Sequence, residues 1–390
     1  MSANSSDLFQ WLVEVRRRLH MHPEISHRET ETTQTIISIL KDLGVEATPL
    51  EDMTGAIGLV RGTRDGPTIG LRADIDALPI EELNDVPYRS RNPGVMHACG
   101  HDAHTTIMLG VARRLVDAGL PEKMKGSVKF FFQPAEERGA GAKAMIARGV
   151  LENPRVDRIF AGHMAPTLPV GQVGVFRGLG YASADRFVLT ITGKGAHSAY
   201  PEEGCDPVVA GAHFVTGAQS IVARNVKPTE AAVITVGTFK AGDASNVIPE
   251  TARLEGSIRT LNTEARNLVI ARLKSMASAL EQMFGVSSDF ELQEGVPVLT
   301  NDIDAADALY AASEKVLGRD NVSYLPPIMG SEDFSYFTHE RPAAIMRLGC
   351  SNEAKGLTRS LHSPYFDIDE KILEIGSEIF FEAVCTALGV

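Results

Sequence analysis

The sequence feature that most constrains this chain is the nine-residue segment Met96–His104, which contains three of its eleven histidines and one of its four cysteines. The segment is too short to form a core element of its own, so this density of side chains indicates chemistry. Because only Gly100 separates Cys99 from His101, a kinked loop can turn a thiolate sulfur and an imidazole nitrogen toward one point. Such donors suit a borderline divalent metal such as zinc. The alternative is a buried cysteine beside histidines that cap a following helix, predicted over residues 103–118.

Composition limits the classes of protein to which this segment can belong. A length of 390 residues exceeds one ordinary core and predicts two domains. The balance of 38 basic and 50 acidic residues gives a net charge of -12, which argues against a nucleic-acid or membrane-surface partner. Residues 1–7 are polar, unlike a signal peptide, and we expect no membrane-spanning stretch. Scattered cysteines (Cys99, Cys205, Cys350 and Cys385) make no disulfide framework, which predicts a reducing cytoplasm.

Further candidate ligands follow three predicted strands at their carboxyl ends. They are Asp74 and Asp76, the adjacent pair Glu136 and Glu137, and His163. Each has an ordinary alternative, since aspartates favour turns, adjacent glutamates commonly face solvent, and a lone histidine is usually structural. In open α/β sheets, however, ligands bind beyond the carboxyl ends of the strands. The agreement of three such groups therefore favours one site at one edge of a sheet.

The order of predicted elements indicates an inserted domain. Residues 182–295 have the order βαββαβ, which is the ferredoxin-like split motif. The flanking segments 1–181 and 296–390 are then predicted to form one catalytic α/β domain, with a central mixed sheet flanked by helices. A polar loop in the later segment contributes a further histidine, His362.

Six motifs together carry a resemblance to a known family. They are Met96–Asp102, Glu136–Glu137, Gly193–Pro201, Asn246–Pro249, Gly330–Phe334 and His362. In this order and spacing the chain resembles a hippurate hydrolase, within the dinuclear-metal amidohydrolases and aminoacylases that also include auxin-conjugate hydrolases and carboxypeptidases. The likeness runs nearly end to end. It implies a zinc-exopeptidase-like catalytic domain and an inserted domain that serves as a lid and dimerisation module.

The resemblance also implies a metal centre with assigned roles. The family's ligands for two divalent ions match Cys99, His101, Glu137, His163 and His362. The resemblance favours zinc, with manganese, cobalt or nickel as alternatives. Glu136 matches the general base, and Asp76 matches an aspartate that supports the ligands. Asp74 stands where other branches have a metal-binding histidine, so the ligand set here shifts to Cys99.

Three residues of the inserted domain match groups that handle substrate. His197 resembles a histidine that, in dimeric relatives, reaches the partner's active site and stabilises the oxyanion. Asn246 and Arg259 resemble groups that hold the free carboxylate of the substrate. From local sequence alone, each could instead serve a turn or a strand surface. The resemblance thus implies a homodimer and a small-molecule substrate, an N-acyl amino acid.

The function that these predictions favour is a metal-dependent amidohydrolase that cleaves an N-acyl amino acid into a carboxylic acid and a free amino acid. One alternative is a dipeptidase or carboxypeptidase, because the same site can hydrolyse a peptide bond beside a free carboxylate. Another is a catalytically silent, metal-stabilised binding protein. Glu136 argues against the silent alternative, because a binding protein has no need of a base.

Overall fold

A computed structural model of the chain describes residues 5–390, with side chains described from residue 7 onward. Residues 1–4, with which the predicted segments 1–181 and 1–7 both begin, therefore lie outside the described residues. The chain divides into two compact units. The first unit contains the chain up to Gly180 together with Thr300–Pro326 and Asp333–Val390, and the second contains Tyr181–Leu299 and Pro327–Glu332. The predicted inserted domain, 182–295, falls within the longer segment of the second unit.

The helices are α1 (Ser5–Met21), α2 (Thr30–Asp42), α3 (His101–Asp117), α4 (Gly141–Ala147), α5 (Pro207–Arg224), α6 (Thr263–Phe284), α7 (Ile303–Leu317), α8 (Ser335–Glu340) and α9 (Lys371–Leu388). The strands are β1 (Glu46–Pro49), β2 (Ala56–Arg61), β3 (Arg64–Asp74), β4 (Lys125–Gln133), β5 (Arg158–Pro169), β6 (Val173–Val175), β7 (Leu179–Tyr181), β8 (Ser183–Thr192), β9 (Ala196–His197), β10 (Ala232–Ala241), β11 (Val247–Ile248), β12 (Thr251–Thr260), β13 (Ser287–Gln293), β14 (Leu299–Thr300), β15 (Val322–Tyr324) and β16 (Ala343–Ser351). Among the described helices, none combines the length and the apolar character needed to cross a membrane.

The first unit is built on an eight-stranded mixed sheet with the order β1-β2-β4-β3-β5-β16-β6-β15. Its centre is parallel, because β3 runs parallel to both β4 and β5, and β5 runs parallel to β16. The strands β1, β2 and β4 pair antiparallel at one side. The carboxyl ends of β3 and β4 therefore meet at the same edge, which brings the segments after Asp74 and Gln133 together.

Helices cover both faces of this sheet, and β4 shows why. Its side chains alternate in direction, as in any strand. Phe130 and Phe132 are buried in the large core that includes residues of α1, α3 and α9, whereas Phe131 packs on Phe337 of α8 with ring centroids 5.6 Å apart. Burial on both faces explains the unbroken apolar run in this strand. The predicted α/β class is confirmed.

The second unit contains a four-stranded antiparallel sheet with the order β10-β12-β8-β13. With α5 and α6 packed together, the chain order is the predicted βαββαβ. Side-chain caps fix where the helices begin: Asp206 accepts from the amides of Val208 and Val209, and Asn262 accepts from those of Glu264 and Ala265. Burial alternates along β13, so one face of this sheet is more exposed than the other. The second unit has its own core, which includes Phe187 and Phe214.

Two features of the fold differ from expectation. The strand β5 extends to Pro169, so His163 lies inside a strand, whereas the sequence predicts that it follows one. The pairing of β5 with β16, which continues to Pro169, accounts for the length of this strand. The segment Pro327–Glu332 belongs to the second unit, where the amide of Ala182 donates to the carbonyls of Ile328 and Gly330.

Candidate metal centre

The loop before α3 brings a first set of three buried donors together. Cys99, His101 and His163 place one donor atom each within 4.8 Å of one another, and the Cys99 Sγ lies 3.5 Å from the His163 Nε2. Gly100 makes the turn between them with a φ of 86°, and a Cβ there would lie 2.7 Å from the Cγ of Met164. Only glycine fits this turn without displacing Met164.

A second set shares Cys99 with the first. Cys99, Glu137 and His362 also place donor atoms within 4.8 Å of one another. The Glu137 Oε1 lies 3.4 Å from the His362 Nε2 and 3.9 Å from the His101 Nε2. His362 adopts a left-handed φ of 64°, and its amide donates to the Ala98 carbonyl at 2.8 Å. Since Cys99 belongs to both sets, the five residues offer donors for two neighbouring ions.

The donor atoms themselves test whether a metal fits. Among the described residues, the buried His101 Nε2 and Glu137 Oε1 have no partner in hydrogen-bond geometry, although the His362 Nε2 lies 3.4 Å from the Glu137 Oε1. Buried polar atoms rarely stay unpaired in proteins, so a further group at this position is expected. Burial also raises the pKa of Cys99 to about 12, and a nearby cation is the ordinary means by which such a thiol becomes a thiolate. The mixed donors therefore fit borderline divalent ions.

Neighbouring groups orient the two buried imidazoles. The His101 Nδ1 lies 2.9 Å from the Asp76 carbonyl oxygen and 3.2 Å from the Asp76 Oδ1, and the His163 Nδ1 lies 2.9 Å from the Met164 carbonyl oxygen. Each Nδ1–H therefore donates away from the site, so each Nε2 lone pair faces the cluster. Burial holds the pKa of His163 well below its ordinary value, which keeps this imidazole in the neutral form that ligates metals.

Asp74 and His104 form a different arrangement. The His104 Nε2 accepts from the Met164 amide at 2.8 Å, so the Nδ1–H donates to the Asp74 Oδ1 at 2.6 Å. The other Asp74 oxygen accepts from the Arg72 Nη1 at 2.7 Å. Burial alone would raise the pKa of Asp74, but the charge of the Arg72 guanidinium and the hydrogen bond from His104 oppose this effect, and that pKa is held well below its ordinary value. These atoms already have partners, which favours a supporting role over metal binding.

The adjacent glutamates project from a tightly held turn. Asp76 accepts from the amides of Glu136 and Glu137 at 3.2 and 3.1 Å. The Glu136 carboxylate accepts from the Asp333 amide at 3.4 Å, and it also lies with His101 and Glu137 in a cluster of potential donors. Glu137 faces His362 and His101, as described above. The turn thus holds two carboxylates side by side, of which only Glu137 belongs to a set that shares Cys99.

The substrate candidates lie in the second unit, in two places. His197 in β9 pairs with Val247 in β11, and the Ser198 amide donates to the Asn246 carbonyl at 3.1 Å. This small sheet brings His197 and Asn246 near each other, and both are exposed. Arg259 lies instead in β12, where its Nη1 donates to the Met329 carbonyl at 3.1 Å. The described contacts do not join Arg259 to the other two.

Two residues of this region escaped the sequence reasoning. The Glu29 carboxylate accepts from the Ala135 amide at 2.9 Å, and no motif or spacing marks Glu29 in the sequence. Asp333 is buried and accepts from Arg72 at 2.9 Å and from Gln133 at 2.8 Å, while its amide reaches Glu136. Asp333 lies within the motif Gly330–Phe334, which was the available signal, but that motif suggested no role.

The α/β fold and the clustered cysteine, histidine and glutamate donors define a candidate metal-binding protein, and comparisons with known proteins show its family. The profile of peptidase family M20/M25/M40 matches residues 70–386. N-acetyl-L-cysteine deacetylase of Bacillus subtilis is 38% identical over 380 residues, which is 97% of this chain and 89% of that protein. IAA-amino acid hydrolase ILR1-like 4 of Arabidopsis thaliana is 37% identical over 381 residues, which is 97% of this chain and 86% of that protein.

A solved structure extends this agreement to the fold. The crystal structure of the YXEP protein of Bacillus subtilis, described as a dinuclear metal-binding peptidase of family M20, superposes with a TM-score of 0.85 at 34% identity. The match covers 98% of this chain and 99% of that one. The chain therefore belongs to peptidase family M20, and it is a hydrolase that acts on amide bonds. The predicted family and enzyme class are confirmed.

Proposed function

We propose that this hydrolase cleaves the amide bond of N-acyl amino acids and uses Glu136 as its general base. The observation that carries the proposal is that the adjacent residues Glu136 and Glu137 make different contacts. Glu137 faces His101 and His362, whereas Glu136 accepts from the Asp333 amide and lies beside the same cluster. The names of the deacetylase and of the IAA-amino acid hydrolase also support an N-acyl amino acid as substrate.

In this proposal Cys99, His101, Glu137, His163 and His362 hold two divalent ions, with zinc as the first candidate. When bound there, such ions would polarise the scissile carbonyl and the attacking water as Lewis acids. Glu136 removes a proton from that water as its oxygen bonds to the acyl carbon. The same carboxylic acid then donates the proton to the amide nitrogen as the carbon–nitrogen bond breaks, which releases a carboxylic acid and a free amino acid.

Other residues of the chain have positioning or binding roles in the proposal. Asp76 orients His101 and accepts from the amides of both glutamates. The Arg259 guanidinium and the Asn246 amide bind the free carboxylate of the substrate, for which a guanidinium has suitable paired donors. In the proposed dimer, His197 reaches the active site of the partner subunit and stabilises the oxyanion there. Asn246 and His197 are exposed, which suits groups that meet a substrate.

We also propose a homodimer formed through the second unit, and a cytoplasmic location. Several large apolar side chains of that unit are exposed, namely Val208 and Val209 of α5, Val233 and Phe239 of β10, and Val247 of β11. Exposed apolar side chains of this kind support association. A dimer would have twice the chain mass of 42.0 kDa, and sedimentation would measure that mass.

The cysteines support the proposed cytoplasmic location. All four are free, which suits a reducing compartment.

One experiment tests the central proposal. Protein purified without chelator is analysed for metals and then assayed, by ninhydrin detection, for amino acid released from a panel of N-acyl amino acids and dipeptides. We expect two divalent ions per chain and release from N-acyl substrates, lost on chelation and restored by metal. Release from dipeptides alone would favour the peptidase alternative. Bound metal without any release would favour the binding-protein alternative, and no metal binding would overturn the proposed ligand set.

A further inference from the structure

The turn that presents the two glutamates depends on an unusual backbone conformation. Ala135 has a φ of 54° and a ψ of 39°, in the left-handed region. Residues with a Cβ adopt this region at an energetic cost, and glycine is the residue that normally occupies it. Such a residue persists only where its surroundings fix it in place. The contacts of Ala135 therefore show what holds Glu136 and Glu137 in their orientation.

A buried carboxylate from a distant part of the chain makes one of these contacts. Glu29, at the start of α2, is fully buried, and its Oε1 accepts from the Ala135 amide at 2.9 Å. Its Oε2 accepts from the Thr54 hydroxyl at 2.6 Å. The Glu29 carbonyl accepts from the amide and the hydroxyl of Thr33. Both ends of the residue are thus anchored, and the carboxylate is aimed at the turn.

The next two amides of the turn are also bound by a carboxylate. Asp76 accepts from the amides of Glu136 and Glu137, so three successive amides point at buried acidic groups. Asp76 additionally contacts His101, so its loss would disturb the proposed ligands directly. The Glu29 carboxylate bonds to the Thr54 hydroxyl and the Ala135 amide. Neither of these bonds involves the side chain of a proposed ligand, so a change at Glu29 reaches the ligands only through the turn.

We propose that Glu29 is a positioning residue, which holds Ala135 in the left-handed conformation and thereby keeps Glu136 and Glu137 in their working orientation. This inference rests on the proposed role of Glu136 as base. Without Glu29, the Ala135 amide would be buried without an acceptor and Ala135 would favour another backbone region. A change of backbone region at Ala135 rotates the following peptide groups. The carboxylate of Glu136 would then leave its place beside the cluster.

The test compares Glu29→Ala with Glu29→Gln and with Glu31→Ala as a matched control. Glu31 is an exposed glutamate in the first turn of the same helix. At saturating metal, we expect Glu29→Ala to lower kcat by about 10- to 100-fold while KM changes by less than about threefold, because a misplaced catalytic group affects the transition state. Glu29→Gln keeps an oxygen acceptor and should recover most of the loss. Glu31→Ala should behave like the wild type.

A second readout needs neither substrate nor metal. Hydrogen exchange of the amides of Ala135, Glu136 and Glu137 should accelerate in Glu29→Ala and stay slow in Glu29→Gln and Glu31→Ala. The substitution Ala135→Gly removes the cost of the left-handed conformation, so Glu29→Ala with Ala135→Gly should be more active than Glu29→Ala alone. Wild-type kcat and wild-type exchange in Glu29→Ala would overturn the inference. So would the absence of any recovery in the double variant.

A folding defect and a failure of the proposed function can both be distinguished from a failure of this inference. If Glu29→Ala does not fold, Thr54→Val can replace it, because this change removes only the hydroxyl that orients Oε2. Thr54→Val should then lower kcat and accelerate exchange by smaller amounts. Wild-type kcat and wild-type exchange in Thr54→Val would overturn the inference. Hydrogen exchange also separates this inference from the proposed function. If Glu136→Gln retained turnover, the base assignment would fall, whereas faster exchange in Glu29→Ala would still establish what holds the turn.

Discussion

The metal centre of the first unit and the substrate candidates of the second unit are built in different ways. The proposed ligands Cys99, His101 and His163 are buried, and the two imidazoles are oriented by hydrogen bonds from their Nδ1 atoms. His197 and Asn246 are exposed and belong to a sheet of two-residue strands and the turn beside it. The difference suggests that the first unit fixes chemistry in advance, whereas the second offers groups that adapt to a substrate.

The largest expected effect separates the two glutamates of the first unit. Glu136→Gln should lower turnover by about 10²–10⁴-fold, the usual contribution of a positioned base, while metal content and fold are retained. Glu137→Gln should lose metal as well, because Glu137 is a proposed ligand. Turnover assays and elemental analysis of both variants measure the two effects. Retained turnover in Glu136→Gln would remove the assigned base and, with it, the contrast between the units.

The next effect tests whether Cys99 serves both ion positions. We expect His362→Ala to keep one ion per chain, because His362 belongs to one donor set only. Cys99→Ala should weaken both positions by at least about 10- to 100-fold, the range seen even for indirect supports of metal sites. Cys350→Ala, which changes another buried cysteine, is the matched control and should keep both ions. Equal ion content in Cys99→Ala and Cys350→Ala would refute the shared donor.

A smaller effect is expected in the second unit. Arg259→Ala should raise KM by about 10- to 100-fold for a substrate with a free carboxylate, since a hydrogen bond between charged groups contributes about 1.5–3 kcal/mol. Metal content should not change. Arg253→Ala removes an exposed arginine of the same strand and serves as the control. Because Arg259 also donates to the Met329 carbonyl, a purely structural role would instead lower thermal stability and leave KM unaltered.

The features that depend on side-chain type and strand order could be predicted from the sequence. The chemistry of Cys99 and His101 and the predicted strands that precede Asp74 and Glu136 indicated one edge of one sheet, and the structure brings Cys99, His101 and Glu137 together there. The βαββαβ order likewise follows from local apolar patterns. The roles given to individual residues stay predictions.

What the sequence could not predict are backbone conformations and long-range contacts. Nothing in the local sequence marks Ala135 or His362 as left-handed, since both have a Cβ that disfavours it. The contact between Glu29 and Ala135 spans 106 positions and follows only from the tertiary fold. The same holds for His20, whose Nδ1 lies 2.8 Å from the Asp102 Oδ2 in a buried polar network.

The smallest expected effect concerns Lys129, a buried cation of the first unit that has no assigned role in the metal centre. Lys129 lies in β4, and its Nζ donates to the Glu152 carbonyl at 2.6 Å. Burial lowers the pKa of Lys129 from 10.5 to about 8. Between these pH values the unfolded chain binds more protons than the folded one, so the free energy of unfolding should rise as the pH rises through this window. Denaturant titrations between pH 7.5 and about 10 measure this slope.

Lys129→Met should lose that rise, whereas Lys125→Met, which changes an exposed lysine of the same strand, should keep it. Turnover at neutral pH should be the same in both variants, because Lys129 contacts none of the proposed ligands among the described bonds. Parallel pH slopes in the wild type and Lys129→Met would contradict the prediction. Reduced turnover in Lys129→Met alone would show that residues away from the ligand edge of the sheet also help to hold the site in place. The difference between the preorganised first unit and the exposed candidates of the second unit would then apply to the whole first unit and not to one site.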